Sequence, residues 1–141
     1  MKRVFAVVLA VAMMAGLAAC GAGNAGDVKI TLGESGRFTR AELDAAAQCA
    51  LEKFRGFEGC TMQKLWYDEA RADAAADSYL RNGRGAGNGA ARENVIVLHS
   101  DFTTDGSPPG GFNPNDKYTG WNWILIRDSE NGAWRVDDYG Y

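Results

Sequence analysis

The chain has 141 residues and a formal net charge of −3, with 15 Lys and Arg against 18 Asp and Glu. That balance argues against a nucleic-acid partner, because phosphate binding calls for a basic patch. The length suits one domain and not two.

Met1-Lys2-Arg3 opens the chain and an apolar run over 4–15 follows. A charged start and a short apolar stretch have the form of a signal peptide, and the stretch is too short to span a bilayer. Small residues then lead into a cysteine, Leu17-Ala18-Ala19-Cys20-Gly21. This arrangement resembles a bacterial lipobox, in which the thiol receives a diacylglyceryl group before cleavage. The expected organisation is a lipoprotein signal peptide over 1–19, a flexible tether over 20–27 and a single domain over 28–141. Acyl chains contribute about 0.8 kcal/mol per buried CH₂, so two of them anchor a protein where one does not. The expected location is the extracytoplasmic face of the cell membrane. Cleavage removes Lys2 and Arg3 and takes the formal charge from −3 to −5.

Two further cysteines remain, Cys49 and Cys60. In an exported domain they have one possible pairing, and a disulfide over so short a loop would add about 2–3 kcal/mol. The alternative is two buried thiols. With one histidine beside them, they fall short of the four ligands of a structural zinc site.

Residues 28–32 alternate apolar and polar, as a short strand does. Thr39 and Glu42 form a capping box, with Phe38 and Leu43 as hydrophobic staple, and open a helix over 40–55. Its apolar stripe is Leu43, Ala46, Ala47, Ala50 and Phe54. A strand over 61–67 and a second helix over 68–81 follow. Gly83, Gly85, Gly87 and Gly89 then read as a mobile connector, since no Gly-Lys-Ser/Thr follows to make a phosphate loop. Residues 95–102 form a strand whose unbroken apolar run implies cover on both faces. After a turn-rich loop over 103–117 come a strand over 118–127, a tight hairpin at Asn131-Gly132 and a last strand over 133–139. The expected class is α+β: a curved antiparallel sheet of about four strands, with two N-terminal helices packed on one face.

Several segments carry a family resemblance. They include Phe57-Glu58-Gly59-Cys60, Leu65-Trp66-Tyr67-Asp68-Glu69, Ser100-Asp101-Phe102, Asn113-Pro114-Asn115, the stretch over 118–128 and that over 134–141. Together they resemble an uncharacterised bacterial lipoprotein family, over nearly all of the mature chain. The resemblance implies a domain found alone or attached to extracellular parts of sensory membrane peptidases. The element order is also similar to the nuclear-transport-factor-2-like (SnoaL-like) cone. That fold hosts enzymes and binding modules alike and implies no particular chemistry.

His99 shares a strand face with Val97 and Asp101. A His99–Asp101 pair could act as general acid and base; the plainer reading is a hydrogen-bonded structural histidine. Asp68-Glu69 and Asp137-Asp138 could offer oxygens to Ca²⁺, but no loop spaces acids as such a site requires. Their plainer roles are helix-start charge and a solvated strand end. Trp121 and Trp123 lie two apart on one strand, with Trp66 on another. Tryptophan suits either a core or a ligand face, so Trp121, Trp123, Trp66 and His99 are the candidate ligand contacts. Nothing in the sequence calls for a cofactor or a metal. Three functions fit: a lipid-anchored binding or accessory module for an envelope molecule or protein, a cone-fold enzyme using His99, and an immunity-type protein at the membrane surface.

Overall fold

The computed structural model describes residues 22–141, so the expected signal peptide over 1–19 and the expected lipidation site Cys20 lie outside the described residues. The fold is α+β, built on an open five-stranded mixed sheet in the order β1-β2-β3-β4-β5. The elements run β1 (Lys29–Thr31), α1 (Arg40–Phe54), β2 (Cys60–Trp66), α2 (Glu69–Asn82), α3 (Gly85–Asn88), β3 (Val95–Thr104), β4 (Lys117–Ile126) and β5 (Arg135–Gly140). The strand count exceeds the expected four because β1 joins the edge. It pairs parallel to β2, which makes the sheet mixed, while β2 to β5 are antiparallel throughout.

Local chemistry sets the helices. Thr39 accepts from the Glu42 N–H and the Glu42 carboxylate accepts from the Thr39 N–H, which closes the capping box of α1. Asp68 caps α2 through the Arg71 N–H. The Glu69 carboxylate takes the Ser35 hydroxyl at 2.6 Å and the Gly36 N–H at 2.9 Å, pinning the turn before α1 to the start of α2.

The two long helices cover opposite faces, not one. Register places Leu98, Phe102 and Trp123 on one face, and Phe54 of α1 packs on the last two at 5.7 and 6.2 Å. Side chains alternate along a strand, so Val97, His99 and Asp101 face the other way. There Arg71 of α2 lies 6.0 Å from the ring of Trp66, whose strand partner is His99. Ala72 and Ala76 are buried beneath α2. Small side chains let it approach β3 closely. Cover on both sides explains why β3 is buried along nearly its whole length.

Three local expectations are corrected. Residues 23 and 24 are not a free tether. Gly23 N–H donates to Arg55 O, Asn24 N–H to Cys60 O, and Met62 N–H to Asn24 O, so Asn24 bridges in parallel to Thr61. The connector after α2 is packed, with Gly85 buried against the Tyr79 ring and Asn88 donating to the Tyr79 hydroxyl at 2.9 Å. The β4–β5 connection is no two-residue hairpin. It runs over 127–134, and its turn closes through Gly132 N–H to Ser129 O, because Arg127 draws the loop inward by donating to Glu130 O at 2.7 Å.

The Cys49–Cys60 disulfide is absent; both are free thiols. Cys49 Sγ lies 3.3 Å from Trp134 O, at the edge where β5 begins. Cys60 begins β2 and pairs with Thr104 at the far end of β3. The two thiols therefore sit over different strands and opposite ends of the sheet, whereas a disulfide needs Cα atoms within about 7 Å. Thiol titration of the unreduced, denatured chain should find both cysteines reactive; an oxidised pair would leave both silent. In the native state Cys60 should react slowly, because burial pushes its pKa up to about 11 and little thiolate is present.

Candidate functional site

The sequence candidates divide between the two faces. Trp123 is fully buried, and its indole N–H donates to Ser100 Oγ at 2.8 Å, so it belongs to the core. Trp121, two residues earlier on the same face, reaches the sheet margin and is only partly buried. Trp66 and His99 lie on the opposite face, their rings 5.8 Å apart. No one site can hold all four.

His99 and Asp101 do not form a pair. His99 Nδ1 lies 2.9 Å from Asn122 Oδ1, and Asp101 accepts the Gly120 N–H at 3.0 Å. That N–H is turned toward Asp101 by a bulge in which Gly120 takes φ +67°, a conformation that favours glycine. His99 is 1 % exposed and its Nε2 has no protein partner. Burial lowers its pKa from 6.5. Folding therefore favours the neutral ring, and the unfolded chain binds the extra proton. Stability should fall as pH drops below about 6.5 and level off once the folded ring also protonates. Urea titrations at several pH values should show this dependence, and His99→Gln should remove it between about pH 5 and 7. An unchanged profile in the variant would mean His99 is not held neutral.

Trp121 stands in an aromatic cleft at the end of the sheet beside the C-terminus of α1. The helix ends at Phe54 with Arg55 as its cap, and Phe57 N–H bonds to Phe54 O at 2.8 Å, which turns Phe57 onto the sheet. The β3–β4 loop supplies the opposite wall. Thr104 Oγ1 donates to Asn113 O and accepts from Asp116 N–H, and Asp105 N–H donates to Gly59 O. Gly110 and Gly111, at φ +80° and +85°, reverse the chain and return Phe112 onto Phe102 and Trp121 at 5.6 and 5.9 Å. Tyr118 stacks on Phe102 at 5.0 Å, and Tyr139 of β5 stacks on Trp121 at 6.1 Å. The resulting cleft holds about 620 Å³, within the range of small-molecule sites, roughly 300–1,000 Å³. The Trp121 Nε1–H is buried without a hydrogen-bond partner.

The sequence places Tyr139 on the strand paired with that of Trp121, but it did not reveal Phe57, Phe112 and Tyr118 as further partners of Trp121. Aromatic residues beside Gly56, Gly111 and Gly120 were the available signal.

A second, polar depression of about 500 Å³ lies between the 84–91 segment and the ends of β4 and β5. A bulge at Asp137 turns its carboxylate to the Tyr79 hydroxyl at 2.6 Å and to Arg84 at 3.2 Å. Asp137 is thus paired, not a solvated strand end. The buried Tyr79 hydroxyl, facing that carboxylate, is pushed up to about 12. Among the described residues no cluster of three acidic, His or Cys side chains is placed to hold a metal.

Fold and site together define an α+β domain with an aromatic cleft at one end of its sheet. No protein-family model, curated protein or solved structure matches the chain.

Proposed function

We propose that the chain is a lipid-anchored, extracytoplasmic binding or accessory module, of the kind its sequence resembles, and that the cleft around Trp121 is its binding site. The aromatic cleft carries this reading. Partly buried rings there present a large rigid surface at low entropic cost, and one indole donor stands unused. The signal-like start and Cys20 supply the address. The enzyme alternative is less favoured because His99 is sealed under α2 and apart from Asp101. An immunity-type role would use the same surface against a protein.

Two measurements test the proposal. Cys20→Ser should move the chain from the membrane to the soluble fraction; retention at the membrane would remove the lipid anchor from the reading. A thermal-shift screen of the full chain against cell-wall fragments, β-lactams, lipids, sugars and divalent metals should yield a ligand. At about 100 times its dissociation constant, a ligand adds about 2.7 kcal/mol, on the order of ten degrees for a domain of this size. Trp121→Ala should abolish that shift. A shift that survives the substitution would move the site elsewhere.

A further inference from the structure

Granting the cleft as the binding site, we infer that residues 106–112 of the β3–β4 loop are a flap over it, latched shut by Phe112.

The loop is held in two different ways. Hydrogen bonds fasten its base. Thr104 N–H donates to Asp116 O at 2.9 Å, Asn115 N–H to Asp105 O at 2.7 Å, and Asn113 N–H to the Tyr118 hydroxyl at 3.0 Å. Beyond Asp105 this fastening stops. Among the described residues, 106–112 make one hydrogen bond, from Ser107 N–H to Asp105 Oδ1 at 2.9 Å, which holds only the root of the segment. The rest of the segment is exposed, apart from Pro108 and Phe112. Few bonds and high exposure mark a region that opens locally at low free energy.

One side chain holds the tip down. Phe112 meets four rings, Phe57 at 5.5 Å, Phe102 at 5.6 Å, Tyr118 at 5.3 Å and Trp121 at 5.9 Å. A ring held by apolar contact can lift away without breaking a hydrogen bond. Phe57, Tyr118 and Trp121 also line the cleft. A ligand that covers them replaces the contacts Phe112 gives up, so ligand and latch compete for the same rings.

The flap is also a wall. Pro109, Gly110, Gly111 and Phe112 are four of the ten residues lining the cleft, so lifting the flap widens its mouth whatever the ligand. Gly110 and Gly111 hold the closed form at φ +80° and +85°. A Cβ at either would meet nothing within 4 Å. Glycine is there for backbone conformation and not for space, and any other residue would strain the closed form. The closed form can therefore be destabilised without altering a ring.

The test is acrylamide quenching of tryptophan fluorescence on the full chain, because Phe112 packs against Trp121. The Trp121 contribution is the difference from the same chain carrying Trp121→Phe. Gly111→Ala should raise that contribution roughly five-fold, the shift in population that left-handed strain produces, with a urea midpoint close to wild type. Phe112→Ala, which removes the latch, should raise it as well. Unchanged Trp121 quenching in Gly111→Ala overturns the flap, and a lowered urea midpoint beside it would make 106–112 a fixed wall of the fold. A rise that persists in the Trp121→Phe background comes from another tryptophan and overturns it too. The ligand screen stands apart from this test. A Trp121-dependent ligand found beside unchanged quenching keeps the cleft as binding site and removes the flap. Quenching that rises while no ligand depends on Trp121 keeps the opening and removes its role in binding.

Discussion

Trp123→Ala should cost the domain about 3–5 kcal/mol, the range for emptying a fully buried aromatic site. The side chain has no exposed surface and touches Phe54, Phe57 and Tyr139, with ring centres 5.1–6.2 Å apart. It therefore joins α1, the turn after it, and two strands. Alanine would leave a cavity walled by rigid rings that cannot collapse into it, and the Ser100 hydroxyl would lose its donor. Domains of this size are stable by about 5–15 kcal/mol, so the urea midpoint should fall by a large fraction. Trp123→Phe should keep most of the volume and cost less. Trp121→Ala, at the margin, should be the mildest of the three. A loss below about 1 kcal/mol in Trp123→Ala would mean that this residue does not anchor the core.

Arg127→Ala should follow, with a loss of about 3 kcal/mol, as when one partner of a buried ion pair is removed. The guanidinium is almost wholly buried and serves four groups. It donates to the Glu42 carboxylate and to Glu130 O, both at 2.7 Å, to Glu93 O at 3.2 Å and to Asn94 Oδ1 at 3.0 Å. It also lies 4.6 Å from the Trp134 ring centre. The arginine fork thus ties α1 to both connections that flank β3 and β4, and Arg127→Lys should restore only part of the loss. The Thr39 N–H, together with Arg127, holds the Glu42 carboxyl below its ordinary value of 4.5. Its contribution is complete above that value and disappears as pH falls through the lower folded value. Wild-type chain should therefore lose stability in acid, and Arg127→Ala should lose less of it. Equal acid sensitivity in the two would separate Arg127 from Glu42.

Features set by neighbours in sequence were legible. Thr39 and Glu42 announced α1, and the apolar run from Val95 announced a strand covered on both faces. Features set by register were not. Which face α2 covers depends on how β2 aligns with β3, and a bulge in that pairing shifts the alignment between Met62 and Lys64. The proposed disulfide assumed that a short loop brings its ends together, but Cys49 is directed at Trp134 O before β5 while Cys60 opens β2 opposite Thr104 at the end of β3. Asn131-Gly132 is a strong local signal, overruled by the bonds that Arg127 makes to its loop. The candidate site was half legible. Trp121 stood out by type and spacing, whereas Phe57 and Phe112 reach it only through turns whose course no periodicity records.

The docking of Asn24 bears on where the domain can stand. On the proposed address, three residues lie between the lipid-bearing Cys20 and Asn24, and the four steps of that leash span at most about 14 Å. Gly23 meets the body beside Phe57, where an added Cβ would come within 3.0 Å of the Phe57 carbonyl oxygen. Phe57 lines the cleft. The point of attachment and the mouth of the cleft are therefore neighbours. With the proposed anchor, so short a reach would keep the domain, and the mouth of the cleft with it, close to the lipid headgroups. Under that proposal, encounter would become a search in two dimensions, among molecules that lie on or grow from the bilayer surface.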